Sequence, residues 1–430
     1  MVYELKPPVE GSPGLLMFTH KERPYFFDPP EPLARRLVAL KERYVLGMQW
    51  GAYHADVGET PYVDFQMACP GTVDWAPGAD PRLIELCSRD FTPSRFRPMD
   101  VPQQWDVFSV GHPITVKRYS ELLDAVRECF DRGVDLDVLL VCAIPEPPDE
   151  LTGYWDTEFF EKYEADFTDA ERERIDLGVP VEASFGDRPL HPIPNEVFPY
   201  LYNASRGFTL FSREEGQSKV VHEALCCGTP VVVHEDLKGG GRDKLDGTNS
   251  LQFGDVDEAA DAFQALAEGD VPSFDAEPLR RELVEEFTGP VFEERVREVY
   301  ADLGRPYEGD LETTDLAFKL GSHTVTLPGS MRSGNTNDLR SREAFVRFVD
   351  YKLGAETPLA DRATARRADA EATVADLRAS GPEALAGRVL RAVDRRVPLA
   401  LHETVARAYR RVADDGPAGV SGTPDDESRS

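Results

Sequence analysis

Residues 211–241 read FSREEGQSKVVHEALCCGTPVVVHEDLKGGG. The stretch leaves an apolar run, passes through a polar turn at Gly216-Gln217-Ser218, and enters a segment whose apolar residues recur at helical spacing: Val220, Val221, Ala224 and Leu225. Ser218 stands where a helix N-cap belongs. Gly228 and Pro230 stop the helix in the usual order, Gly just past its end and Pro shortly after. Val231-Val232-Val233 then reads as a buried parallel strand. The whole is a strand-turn-helix-strand unit.

Two carboxylates bracket the turn. Glu215 precedes the helix, and Glu223 lies within it, seven residues intervening. A helix front offers unpaired N–H groups and the positive end of a dipole, which suits a phosphate. The amides around Gly216, Gln217 and Ser218, with Lys219, would face such a group. Glu215 then falls on the side of whatever the diphosphate carries. Glu223 falls on the other side, where a carboxylate can accept two bonds from a ribose diol. The plainer reading of the same residues is a solvated helix face with an ordinary Lys219–Glu223 pair four residues apart.

The segment resembles the nucleotide-sugar glycosyltransferases of the GT-B fold, in particular the retaining group called glycosyltransferase family 4. Their signature is Glu, seven residues, Glu, a helix end of small residues, then Gly-x-Pro-Val-Val. Glu215, Glu223, Ala224, Gly228, Pro230, Val231 and Val232 match it in place. The resemblance implies an α/β, GT-B-like fold: two Rossmann-like domains facing a cleft. It also implies transfer of a sugar from a nucleoside diphosphate to an acceptor hydroxyl of a glycan or a lipid-linked carrier, with retention of configuration. The donor is then a co-substrate, and neither a cofactor nor a metal is expected.

The family places two cations at its diphosphate, spaced Gly-Arg, four residues, Lys. Here Gly111-His112-Pro113-Ile114-Thr115-Val116-Lys117 follows an apolar strand. Lys117 matches, His112 occupies the Arg position, and Arg118 is the alternative source of the missing charge. The family also sets a His of its N-terminal half beside the transferring sugar. His20 and His54 each follow a predicted strand, and His54 follows the later one and is the preferred candidate. After the central unit, Gly239 and Gly240 can bring backbone N–H groups close to a phosphate or sugar.

Composition sets the bounds. The chain has 430 residues, 41% of them apolar, and a formal charge of −30 with an isoelectric point near 4.7. That balance argues against a nucleic-acid binder. Only 10 of the 48 basic residues are Lys, and an acid excess with Arg in place of Lys suits a high-salt, halophilic cytoplasm. Four of those Lys (117, 219, 238 and 244) fall in or beside the donor segments. The six Cys (69, 87, 129, 142, 226 and 227) form no metal-binding pattern and are expected as buried, reduced thiols of a cytoplasmic protein. No signal peptide and no apolar run near the ~20 residues of a membrane span is present.

Taken in order, residues 1–13 read as a loose lead-in to a short α/β domain at 1–100. Residues 92–101, with Pro93 and Pro98, read as the linker. The donor-binding domain is expected at 101–305, with a helical excursion over 145–177 and helices over 257–268 and 276–303. A mainly helical extension (306–412) and a disordered tail (413–430) follow. Residues 386–412 hold seven Arg against Asp394 and Glu403. That stretch would rest on an anionic membrane surface at the inner face, or pack against an acidic protein face. The short first half and His112 leave room for a non-catalytic nucleotide-sugar-binding scaffold, and the fold also admits a sugar-nucleotide epimerase or hydrolase.

Overall fold

A computed structural model describes residues 2–142, 155–178, 183–185, 188–190, 193–313, 316–320 and 342–354. Two α/β halves follow one another along the chain. The first is built on a five-stranded sheet of order β1-β2-β3-β5-β7. Its strands are β1 (Val2–Lys6), β2 (Gly14–Thr19), β3 (Tyr44–Gln49), β5 (Phe65–Met67) and β7 (Leu83–Ile84). Both central strands, GLLMFT and YVLGMQ, are buried at every residue. Helix α1 (Glu31–Arg43) covers one face with Leu33, Leu37 and Leu40. A small parallel pair, β4 (His54–Val57) with β6 (Val73–Trp75), sits apart from the main sheet.

β1 corrects the expectation of a loose lead-in. It pairs antiparallel with β2, and Val2, Tyr3 and Leu5 are buried. Five residues carry too little pattern to announce a strand; pairing with β2 and the packing over it decide the matter.

The second half is a six-stranded, all-parallel sheet of order β10-β9-β8-β13-β15-β17. Its strands are β8 (Trp105–Gly111), β9 (Val138–Cys142), β10 (Ile175–Gly178), β13 (Ser205–Leu210), β15 (Val231–His234) and β17 (Ser250–Phe253). Helices α2 (Tyr119–Asp131) and α7 (Val256–Glu268) pack one apolar layer against it, while α5 (Phe198–Asn203) and α6 (Lys219–Cys226) pack the other. Cover on both faces is what lets these strands be continuous apolar runs. The chain also forms short strands β11 (Ala183–Phe185) and β12 (Arg188–Leu190), and β14 (Glu214–Glu215) pairs with β16 (Lys238–Gly239).

Two further expectations change. Within the predicted helical excursion, the described residues hold α3 (Thr157–Ala165) and α4 (Asp169–Arg172), but Ile175–Gly178 is the edge strand β10 beside β9. The predicted helix over 276–303 breaks at Val284 into α8 (Glu277–Leu283) and α9 (Glu285–Asp302). Thr92 from the linker occupies the break: its N–H donates to Leu283 O (2.8 Å), and Glu285 N–H donates to its carbonyl (3.0 Å). Past the break, α9 turns Phe292, Val296 and Tyr300 into the core of the first half, with Leu15, Met17 and Phe65.

Of the extension, α10 (Leu316–Lys319) and α11 (Arg342–Lys352) also pack on the first half, through Leu316 and through Phe345, Phe348 and Val349. The basic stretch 386–412 and the tail 413–430 lie outside the described residues. Among the described residues, no helix is long and apolar enough to cross a membrane.

Candidate functional site

In an open parallel sheet, ligands gather at the carboxyl ends of the strands. Both sheets bring those ends to the region where the two halves touch, and the predicted site residues collect there. The turn after β13 carries Glu215. Lys117, from the 3-10 turn after β8, forms a salt bridge with the Glu215 carboxylate, both side chains mostly buried. The two residues assigned to the sugar and to the diphosphate are thus one charged pair.

The glycine loop is stitched to the same turn. β14 and β16 pair in parallel, setting Glu215 opposite Gly239, and Gly240 N–H donates to Gly216 O (3.1 Å). Gly239 has φ +66°, and a Cβ there would come within 2.1 Å of Glu215 O. Only glycine lets the backbone lie this close to the Glu215 main chain.

Helix α6 starts at Lys219, with Ser218 at the N-cap position but making no side-chain bond to the helix. Glu223, on the second turn, accepts a hydrogen bond from Tyr202 Oη (3.1 Å). Burial pushes its carboxyl above the ordinary range, while Lys219, Tyr202 and Arg95 oppose the shift. Lys219 is half-buried. Burial lowers its pKa to about 8, against the pull of Glu223 and Glu285. The sequence does not assign Tyr202 or Arg95 to Glu223, because tertiary packing alone brings their segments to α6.

The first half closes on the turn. Gly216 packs so near Gly51-Ala52 that a Cβ would lie 2.4 Å from Ala52 Cα. The side-chain amide of Gln217 bonds the first half: Nε2 donates to Trp50 O (2.7 Å), and Oε1 accepts from Ser88 Oγ (2.5 Å). Lys238 stands over the Tyr53 ring, 5.6 Å from its centroid. Lys244, the fourth Lys of the donor segments, pairs with Glu282 (2.8 Å).

The choice between His20 and His54 resolves into a pair, their ring centroids 5.0 Å apart. His20 Nδ1 accepts from Gly51 N–H (3.0 Å), which fixes the loop that meets Gly216. Burial lowers His20 to about 4, with His54 adding to the shift, and burial also lowers His54. Both rings are therefore neutral near pH 7. His54 Nε2 is buried without a hydrogen-bond partner. His112 stacks edge-on to Trp155. Arg118 takes the left-handed conformation (φ 54°) at the start of α2, and its guanidinium is bonded to Glu121.

Three further residues were missed: Gln49, Ser212 and His234. Each is buried with a side-chain polar atom lacking a hydrogen-bond partner. Gln49 ends β3, Ser212 lies just past β13, and His234 ends β15. A buried orphan polar atom is costly, and these three mark strand ends that meet the site. The available signal was simple for two of them: Gln49 and His234 each close an apolar run.

The expectation of six reduced thiols holds for Cys129, Cys142, Cys226 and Cys227, all buried and free. It fails for Cys69 and Cys87, which form a disulfide with Cα atoms 5.7 Å apart. They are separated by 18 residues, so no short motif announces the pairing; the adjacent ends of β5 and β7 create it. Among the described residues, Cys69, Cys87 and Asp90 lie close enough to share an ion, but the two sulfurs are bonded to each other.

Two Rossmann-like units meeting at the carboxyl ends of their strands give the chain a GT-B-like architecture. No protein-family model matches the sequence, and no curated protein matches it. Solved structures similar to it include TarM, at 11% identity and TM-score 0.44, over 60% of this chain and 51% of that one. The pneumococcal O-GlcNAc transferase GtfA, solved with UDP and GlcNAc, is similar at 12% identity and TM-score 0.44, over 63% and 55%. Sucrose-phosphate synthase from Thermosynechococcus elongatus is similar at 13% identity and TM-score 0.46, over 67% and 74%. The chain spans about half the length of the first two. At these identities the likeness concerns the fold alone.

Proposed function

We propose that the chain is a glycosyltransferase that moves a sugar from a nucleoside-diphosphate sugar to an acceptor hydroxyl. The observation that carries this reading is the Lys117–Glu215 pair, with Glu215 paired backbone to backbone with Gly239 and just ahead of α6 in the chain. Loss of a diphosphate from a sugar builds negative charge on the leaving oxygen. Fixed cations and helix N–H groups stabilise that charge without rearranging. In this reading Lys117 serves that task, and Glu215 holds it while orienting sugar hydroxyls. Lys219 adds a second cation on the nucleotide side, and Glu223 with Tyr202 offers acceptor and donor atoms to a ribose diol.

The neutral His20–His54 pair lies on the first half, the side from which an acceptor would approach, and His54 Nε2 is the candidate to receive a proton or a sugar hydroxyl bond. Retention of configuration and a glycan or lipid-linked acceptor belong to the same proposal. Contact of residues 386–412 with a membrane is a separate part of it.

A thermal-shift screen of UDP-, GDP-, ADP- and dTDP-sugars in high salt tests the reading, because a ligand bound only by the folded state raises the melting point. A shift with one nucleotide class, followed by release of the free diphosphate with glycosylated product, is expected. Donor binding with no transfer over a broad acceptor panel would establish a binding scaffold instead.

A further inference from the structure

Residues 50–53 meet the donor turn and glycine loop directly, and two further segments of the first half that lie against them are joined by one covalent bond. Cys69 follows β5, and Cys87 follows β7. Beside Cys69, Thr72 Oγ1 donates to Cys69 O (2.7 Å) and Thr72 O accepts from His54 N–H (3.1 Å). In the same loop, the Cβ position of Gly71 lies 3.5 Å from Gly239 N. Beside Cys87, Ser88 bonds Gln217, and Arg89, its side chain fully buried, pairs with Asp243 (2.6 Å). Arg89 O also lies within hydrogen-bond reach of His222 Nδ1 on α6 (3.0 Å). Asp90 accepts from Cys87 N–H (2.8 Å), and its carboxylate lies 3.0 Å from Cys69 Sγ.

We propose that the Cys69–Cys87 cystine is a reversible redox site whose reduction loosens the grip of the first half on the donor turn and glycine loop. With the bond intact, loops 69–72 and 87–90 move as one block, and each of their contacts with residues 216–243 supports the others. With the bond cut, the two loops open independently, and each contact must hold its own segment.

The chemistry balances with a dithiol reductant. Its thiolate attacks one sulfur of the cystine, releasing the other Cys as a thiolate and forming a mixed disulfide. Its second thiol then displaces the protein sulfur. Two electrons and two protons pass to the protein, and the reductant becomes a disulfide. Cys69 and Cys87 are 3% and 0% exposed, so attack requires these loops to open first. The other four Cys are buried, and burial raises the pKa of each, Cys129 and Cys226 to about 12. They remain protonated and slow to react.

The test uses the full chain purified without reductant, with iodoacetamide labelling read by peptide mass spectrometry. Before dithiothreitol, Cys69 and Cys87 should be unlabelled even after denaturation; after it, both should label. Hydrogen exchange should then quicken by about threefold or more in segments 69–72, 213–219 and 237–243, with β8–β9 unchanged. Oxidised glutathione should restore slow exchange. The variant Cys69→Ala/Cys87→Ala should exchange like the reduced protein and ignore both reagents. If that variant does not fold, the reduced wild type carries the same comparison. Free thiols at 69 and 87 in the untreated protein, or equal exchange in both redox states, would overturn the proposal. Neither readout uses a donor or an activity, so its failure would leave the sugar-transfer reading untouched.

Discussion

Lys117 Nζ and the Glu215 carboxylate join two strand ends that lie 98 residues apart in the chain, and neither side chain is more than about one-fifth exposed. The pair converts two separate motifs into one site. Because the ion pair is recessed, losing either partner strands a charge on the other.

Glu215→Gln and Lys117→Met should each lower kcat by about 10²-fold or more, the scale of losing one electrostatic stabiliser of a developing charge. The double variant should lose far less than the product of the two, because groups acting as a unit are non-additive. Steady-state kinetics of the four proteins gives the coupling directly. Full additivity would refute a shared role.

Gly216→Ala should disturb the contact between the halves, since the new methyl would meet the backbone of Ala52 rather than a movable side-chain tip. A loss of about 1–3 kcal/mol is the usual cost of overpacking, read as a lower urea midpoint, with donor KM rising alongside. Gly247→Ala, with nothing within 4 Å, is the control and should stay within about 0.5 kcal/mol of wild type.

Lys219 gives a pH signature. Burial lowers its pKa to about 8, whereas the unfolded chain holds it near the usual ~10.4. Between these values the unfolded state binds more protons, so this residue makes stability rise with pH from about 8 to about 10. Donor affinity runs the other way. If the ammonium meets the diphosphate, affinity falls as pH passes about 8, and Lys219→Arg, always charged, should flatten that fall. Calorimetric titration of nucleoside diphosphate at pH 7 and pH 9 checks both proteins.

Glu223→Ala should act mainly on donor binding, raising KM by about 10- to 100-fold, the equivalent of a lost hydrogen bond to a charged group. Tyr202→Phe removes the bond to Glu223 (3.1 Å) and should give a smaller change of the same kind. A large kcat effect from either, with KM unchanged, would move Glu223 from the nucleotide to the reacting bond.

The donor unit was legible because its signals are local. Helical spacing from Val220 to Leu225, the Gly228-Thr229-Pro230 stop and the apolar run at 231–233 all act within a few residues, and the structure places α6 and β15 there. β10 was hidden by the acidic, helix-favouring segment around it, and β1 by its shortness. The break at Val284 was hidden because Thr92 takes up the backbone groups that the broken helix would have satisfied.

The sequence by itself determined the strand-turn-helix-strand unit, the positions of Glu215 and Glu223 within it, Lys117 after the first strand of the donor half, and the α/β alternation of both halves. Tertiary structure alone decided that Gln217 serves the first half, that His20 and His54 form a pair, that α9 packs into the first core, and that Cys69 bonds Cys87. Periodicity and capping are written in neighbouring residues, whose spacing along one backbone is fixed. Contacts between distant residues depend on how two sheets bring their strand ends together, and no single segment carries that geometry.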